Sequence, residues 1–179
     1  FEKQGNSYQR HVIHNLPGTR KTIVRDFNDD GLPDILALIT QGDEHVALFT
    51  NRGAFRFTYR VVLRFPPVYG SSYFELADFN TDGHPDILYT NGDNADYSPI
   101  LKPYHGVRIF LNDGLNDFNE SWFYSMHGAS MARAADFDQD GDLDIAAIAF
   151  FPDFAAHPEQ GFIYFENKDG TFDPQITSL

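Results

Sequence analysis

Three times along the chain, a short apolar run follows directly on a cluster of acids. DILALIT (34–40), DILYT (86–90) and DIAAIAF (144–150) have the length and composition of buried strands. Ahead of each cluster stands another candidate strand: KTIVR (21–25), YFELA (73–77) and MARAA (131–135). MARAA alone favours a helix, since Ala and Met are good helix formers, and is read as a strand from its place in the series. A third run follows in each case, HVALFT (45–50), GVRIFL (106–111) and GFIYFE (161–166), and a fourth closes the series, FRFTYRVVL (55–63), FNESWFY (118–124) and TFDPQI (171–176). Turns containing Gly and Asn separate the runs. Before the first series, NSYQRHVIHNL (6–16) alternates polar and apolar residues like one more strand.

The segments between the runs repeat too. DFNDDGLPDIL starts at Asp26, DFNTDGHPDIL at Asp78 and DFDQDGDLDIA at Asp136, at offsets of 52 and 58 residues. A second pattern follows each of them: LFTNRGAF (48–55), IFLNDGLNDF (109–118) and YFENKDGTF (164–172). Two motifs in the same order three times are an internal repeat, and four antiparallel strands per repeat predict propeller blades. The expected fold is therefore all-β: a β-propeller segment of about three four-stranded antiparallel blades, with the acidic loop between the first and second strand of each. Residues 1–17 are expected as the outer strand of a preceding blade or an N-terminal extension, 18–65 as blade 1, 66–126 as blade 2 and 127–179 as blade 3. The step between second and third strands varies, from QGDE in the first repeat to inserts at 91–105 and 151–160. Inserts at one step of a repeat emerge on one face, where binding usually resides. Propellers typically close with roughly four or more blades, so the open blade edges are expected to meet the remaining blades of a parent protein or a second chain.

Carboxylates this close repel one another unless they are solvated or hold a cation. Calcium takes roughly six to eight oxygen ligands, and a glycine lets a short loop turn tightly around it. Alternate positions give the expected ligands. In the first loop they are Asp26, Asn28, Asp30 and Asp34 with the carbonyl of Leu32; in the second, Asp78, Asn80, Asp82 and Asp86 with the carbonyl of His84. The third offers Asp136, Asp138, Asp140 and Asp144 with the carbonyl of Asp142. All-oxygen ligation points to Ca²⁺ at three sites, with Mg²⁺ second to it, and away from zinc or copper. An EF-hand is excluded: its twelfth position needs Glu, where this chain has Ala37, Tyr89 and Ala147, and a strand-like run follows in place of a helix.

These loops resemble the calcium-binding motif of the FG-GAP / VCBS repeat family, the β-propellers related to the integrin α-subunit head, over roughly residues 18–178. YGSS (69–72) and HGAS (127–130) stand where the FG-GAP tripeptides would lie, which makes the resemblance closer to the bacterial VCBS-type subgroup. The resemblance implies one Ca²⁺ per loop and an exported protein, whether secreted, periplasmic or at the cell surface. It implies a non-catalytic binding, adhesion or scaffold module with a protein or glycan ligand. Because relatives include parts of polysaccharide lyases, the alternative is the propeller portion of a polysaccharide-active enzyme, lyase or hydrolase, with its site on the insert-bearing face.

Composition narrows the partners. The chain is 42% hydrophobic and 16% aromatic, which argues against disorder. A net charge of −13 excludes nucleic acid and anionic membranes as natural partners, and three divalent ions would bring it to −7. No run is long enough for a membrane helix, and with no Cys there are neither disulfides nor thiolate metal sites. FEKQGNSYQR reads as the interior of a longer or processed protein. His11 and His14 are expected on opposite faces of one strand. His105, His127 and His157, with Asp93, Asp96 and Tyr97, are candidates to share a site on the insert face, the alternative being exposed or backbone-bonded imidazoles. No nucleophile-elbow, zinc-protease or phosphate-loop motif occurs. Trp122 is expected between blades, and Arg108 and Arg133 beside nearby acids.

Overall fold

Each series of four runs pairs into one antiparallel sheet whose strand order is the chain order. The structure, a computed structural model, describes residues 1–93 and 100–175. Blade 1 is β3 (Thr19–Arg25), β4 (Asp34–Ile39), β5 (His45–Asn51) and β6 (Phe57–Arg64), and is preceded by a hairpin of β1 (Glu2–Gln4) and β2 (Ser7–Gln9). Blade 2 is β7 (Ser71–Ala77), β8 (Asp86–Asn91), β9 (Gly106–Asn112) and β10 (Phe118–Ser125). Blade 3 is β11 (Ala129–Ala135), β12 (Asp144–Ala149), β13 (Phe162–Lys168) and β14 (Thr171–Gln175). The one helical element among the described residues is a single 3₁₀ turn, Pro158–Gly161, in the insert of blade 3.

MARAA is a strand: Ala132 pairs with Ala147 and Arg133 with Ala146, and Ala129 and Ala132 are buried in the core. Pairing and burial override its helical propensity. The first strands of the blades stand side by side, β7 against both β3 and β11. In an antiparallel sheet of this order, the acidic loop and the turn between third and fourth strands share one end. The inserts emerge at the other, together with the connections between blades.

The continuous apolar runs are explained by strands covered on both faces. Leu36, Leu38, Val46 and Leu48 of blade 1 pack with Phe74, Ile87, Tyr89 and Phe110 of blade 2. Alternate residues of blade 2, Leu88, Val107 and Ile109, pack with Ile145, Ala147, Ile163 and Phe165 of blade 3. Trp122 sits in that second interface, with its ring edge-on to Phe165 at 5.3 Å and tilted on Phe172 at 5.0 Å.

The N-terminal stretch differs from expectation. A single strand over 6–16 does not form, because the chain reverses at Gly5–Asn6, with Gly5 at φ +61°, and pairs Lys3 with Tyr8. A Gly-Asn pair between strand residues is a hairpin signal that outranks the alternation. Residues 10–17 form no strand. They run as a strap along blade 1, where His11 stacks on Phe55 at 4.1 Å and His14 on Tyr59 at 4.7 Å.

Removing the aromatic wedge between blades 2 and 3 leaves a cavity and loses apolar burial. Trp122→Ala is expected to lower unfolding stability by about 2–3 kcal/mol, measured by urea titration followed by circular dichroism. A loss under about 0.5 kcal/mol, the level of an ordinary surface substitution, would contradict this packing role.

Candidate metal centres and the insert face

The three acidic loops fold alike because the same side chains hold the same backbone groups. Asp26 accepts from the N–H of Asn28 at 3.2 Å, of Asp30 at 3.3 Å and of Gly31 at 2.7 Å. Asp78 accepts from Asp82 and Gly83 at 3.2 and 2.9 Å, and Asp136 from Gly141 at 3.2 Å. The fifth-position carboxylates, Asp30, Asp82 and Asp140, each accept from the N–H two residues on, that of Leu32, His84 or Asp142. The chain turns left-handed at Gly31, Gly83 and Gly141, with φ of 82°, 87° and 105°, a region that costs glycine nothing.

The ninth position is different in kind. Asp34, Asp86 and Asp144 are fully buried at the first residue of β4, β8 and β12. Each accepts two backbone N–H groups from opposite sides. One comes from the head of its own loop: Phe27 at 3.1 Å, Phe79 at 2.8 Å and Phe137 at 3.0 Å. The other comes from the asparagine of the second motif: Asn51 at 2.7 Å, Asn112 at 2.8 Å and Asn167 at 2.9 Å. These asparagines also donate their side-chain amides to the carbonyls of Pro33, Pro85 and Leu143 at 3.0, 3.0 and 3.1 Å. Their side-chain oxygens accept from Gly53, Gly114 and Gly170 at 2.9, 3.0 and 2.8 Å. Each asparagine is thus a latch from the acidic loop to the turn between the third and fourth strands. The recurring Asn was visible in the sequence, but its partner lies 17 to 26 residues upstream, beyond what a local pattern shows.

The carboxylates feel these contacts. At Asp26 burial opposes ionisation, but the N–H groups of Gly31, Asn28 and Asp30 outweigh it and hold the group below the usual carboxylate range. Asp82 is lowered by the His84 N–H and then by the Asn80 amide. Burial raises Asp86, with the charges of Asp82 and Asp78 adding to it. Asp144 ends low in spite of its burial, through Asn167, the Tyr164 hydroxyl at 2.7 Å and Phe137. Tyr164 has no counterpart in the other blades, where Leu48 and Ile109 hold its place.

The third loop carries the most negative charge, with five aspartates between 136 and 144. Carboxylate oxygens of Asp136, Asp138 and Asp144 lie within 4.8 Å of one another. Asp142 Oδ1 is buried without a hydrogen-bond partner. Burial, then the charges of neighbouring aspartates, raise both Asp138 and Asp142. An all-oxygen donor set with an orphaned carboxylate oxygen and unrelieved repulsion fits a hard divalent cation, and each ionised carboxylate keeps lone pairs beyond those engaged with N–H groups. Asp136, Asp138 and Asp144 are the residues that would hold it, with Asp140 and Asp142 close by. In the first two loops Asn28 and Asn80 stand where Asp138 does, so an amide oxygen replaces a carboxylate there. The ring of His84 lies against Gly114, where an added Cβ would meet Nε2 at 2.9 Å.

On the opposite face, the histidines do not gather into a metal site among the described residues. His105 is fully buried and neither ring nitrogen has a partner; His127 Nδ1 is likewise buried and unpaired. His157 pairs with Glu159 at 3.1 Å on the other insert. Asp93 bonds Arg20 at 2.6 Å, while Asp96 and Tyr97 lie outside the described residues. Burial, with Lys102, His127 and Arg108 adding to it, drops His105 to about 4. Arg108 is buried, bonds Glu120 at 3.1 Å and lies 3.9 Å from the Phe123 ring centre, while Arg133 bonds Glu75 at 3.0 Å. Between blades 1 and 2 this face opens into a cleft of about 580 Å³, lined in part by Arg20, Glu44, Lys102 and Tyr104.

Residues 26–89, from the first acidic loop through the second and into β8, match the FG-GAP-like repeat. The whole chain is similar in structure to a GH32 β-fructofuranosidase of Bombyx mori, a mutant form in complex with sucrose, with a TM-score of 0.53 at 13% sequence identity. The likeness covers 97% of this chain and 40% of that one, so the chain spans less than half of that protein's length. It establishes the fold, a β-propeller. No curated protein sequence matches the chain.

Two outcomes follow. Asn167→Ala leaves a carbonyl and a glycine N–H without their partners, and is expected to cost about 2 kcal/mol of unfolding stability. A cost below about 0.5 kcal/mol in denaturant titration would mean the latch contributes nothing beyond an ordinary surface contact. For His105, the unfolded imidazole takes up a proton at an ordinary 6.5 while the folded one resists until about 4. The unfolded chain binds more protons in that window, so stability falls as pH drops from about 6.5 towards about 4. Between pH 7 and pH 4.5 the parent is expected to lose about 2 kcal/mol more than His105→Leu. Equal losses would show that His105 titrates normally.

Proposed function

We propose that this chain, which carries the FG-GAP-like repeat on a β-propeller framework, is a non-catalytic binding module of an exported protein, its blades locked by one Ca²⁺ in each acidic loop. The observation that carries the calcium reading is the convergence of Asp136, Asp138 and Asp144 beside the orphaned Asp142 oxygen. Bound calcium supplies positive charge where aspartates crowd, and because the assembled loop exists only in the folded chain, binding free energy becomes folding free energy. The sites are unequal: the loops hold four aspartates (26–34), three (78–86) and five (136–144). Affinity rises with ligand charge, which ranks the third loop first. FG-GAP repeats are typical of extracellular proteins, and no helix among the described residues is long and apolar enough to cross a membrane.

The ligand face is the insert face, with the cleft between blades 1 and 2 as its recess and a protein or glycan as the ligand. Among the described residues, both acids of that cleft, Glu44 and Asp93, are tied to structure. Glu44 accepts from the Ser71 N–H at 2.8 Å and the Ser71 hydroxyl at 2.5 Å, and Asp93 holds Arg20. Those bonds favour binding over acid–base chemistry. The second reading is the propeller portion of a polysaccharide-active enzyme. The fold shared with a β-fructofuranosidase and a cleft of sugar size, with Tyr104 in its wall, support it.

Asp136→Asn with Asp138→Asn separates a cation site from a solvated turn by a reversal of sign. In excess calcium the variant is expected to lose about 1–3 kcal/mol of stability relative to the parent, through loss of one site. In chelator it is expected to equal or exceed the parent, because the repulsion is relieved. The same difference in both conditions would refute the calcium reading. Incubating the parent with a panel of neutral and acidic polysaccharides decides the other half. Saturable binding without products supports the binding module, and chain cleavage supports the enzyme.

A further inference from the structure

The two interfaces between blades are built differently at the loop end. In the turn between the third and fourth strands of blade 2, Asn116 stands at φ +61° and donates its side-chain amide to the carbonyl of Phe27 at 3.0 Å. Phe27 belongs to the first acidic loop and lies between Asp26 and Asn28, two of the expected cation ligands. Asn116 also donates its backbone N–H to the side-chain oxygen of Asn112 at 3.0 Å, and Asn112 donates its own N–H to Asp86 of the second loop at 2.8 Å. Three hydrogen bonds thus run from one acidic loop to the next. Arg60 of β6 steadies the turn from the blade 1 side, donating to the carbonyls of Leu115 and Asn116 at 3.2 and 3.0 Å and to the Asp117 carboxylate at 2.5 Å.

Blades 2 and 3 meet through other residues. Asn167 pairs with Phe172 where Asn112 pairs with Phe118, so the turn of blade 3 is one residue shorter. The place of Arg60, opposite Leu48, is taken by Trp122, opposite Ile109. What reaches the second loop from blade 3 is an apolar ring, Phe172, edge-on to Phe79 at 5.8 Å. Among the described residues, no hydrogen bond joins the blade 3 turn to that loop.

We propose that Asn116 couples the first two acidic loops across the blade interface, so that a calcium ion in one raises the affinity of the other, while the third loop fills on its own. The proposal rests on the reading of these loops as calcium sites. An empty loop keeps the repulsion between its aspartates and is the easier to deform. A cation that orders the first loop fixes the Phe27 carbonyl, and with it the turn that brings Asn112 to Asp86. The second cation then meets a loop already partly ordered, and the cost of ordering is shared between the two. The coupling belongs to the pair and is therefore reciprocal.

The test uses the full chain, stripped by chelator and titrated with calcium. Hydrogen exchange of the peptides that carry each loop reads the loops separately, and equilibrium dialysis counts bound ions. Asp78→Asn with Asp82→Asn empties the second loop, and is expected to raise the calcium concentration that protects residues 26–34 by about 5-fold or more. Asp136→Asn with Asp138→Asn, which empties the third loop, is expected to shift it by less than about 2-fold, outside the range of a coupling. Asn116→Gly removes the amide and keeps the left-handed backbone. In that background, emptying the second loop is expected to leave the first where it was. If Asn116→Gly does not fold, Asn116→Asp, which keeps the shape and loses the donor, carries the same readouts. Ions that bind while the first loop ignores the second would overturn the proposal and leave the calcium reading standing. Coupling that survives loss of the Asn116 amide, or an equal response to emptying the third loop, would overturn it as well. No bound calcium in the parent would refute the calcium reading, and the proposal with it.

Discussion

Everything at the loop end of each blade depends on one buried carboxylate. Asp34, Asp86 and Asp144 have no contact with water, and an ionised group there is tolerable only if it is surrounded by donors. Each has two backbone N–H groups, one from the head of its own loop and one from the asparagine that begins the next turn. The aspartate therefore joins three things at one point: the acidic loop, the start of the second strand and the turn between the third and fourth strands. A cation held in the loop would act on this same point, which would couple metal occupancy to blade integrity.

The three copies show how far the arrangement bends. Asp86, with two donors and two nearby carboxylates, is pushed up by burial, while Asp144 overcomes its burial with a third donor, the Tyr164 hydroxyl. The third blade also replaces Asn28 and Asn80 with Asp138, adding charge where the extra donor has been added. Away from the loops, the blades are held by strands that bury both faces, which is why their sequences read as apolar runs rather than alternations. The same two-sidedness leaves a row uncovered wherever a neighbour is missing. The molecule deals with this unequally: a strap lies on blade 1, while Met131, Ile148 and Phe162 of blade 3 stay partly exposed.

Much of the blade architecture was legible in the sequence, because both motifs recur in fixed order and each is followed by a run of strand length. Even MARAA was placed by its position in the series, where its composition pointed to a helix. The expectations that failed or fell short share a cause: each turned on a contact distant in sequence or on a local turn signal set aside. The alternation over 6–16 gave way to a hairpin at Gly5–Asn6. The recurring asparagine carried no visible role, because its partner belongs to the loop before the preceding strands. His105, one of several histidines in an insert, gave no sign that it would be sealed in the core with both nitrogens unpaired. Residues of one insert, Asp96 and Tyr97 among them, lie outside the described residues.

The central claim is that the acidic loops are cation sites built into the blades rather than solvated turns. The most direct measurement is a calcium titration of chelator-stripped protein, following bound metal per chain and melting temperature together. The account predicts three ions per chain, one for each acidic loop, taken up unequally, with the melting temperature rising as they bind. No uptake and an unchanged melting temperature would contradict it, and would leave the aspartates as exposed turns of a propeller that stands without metal.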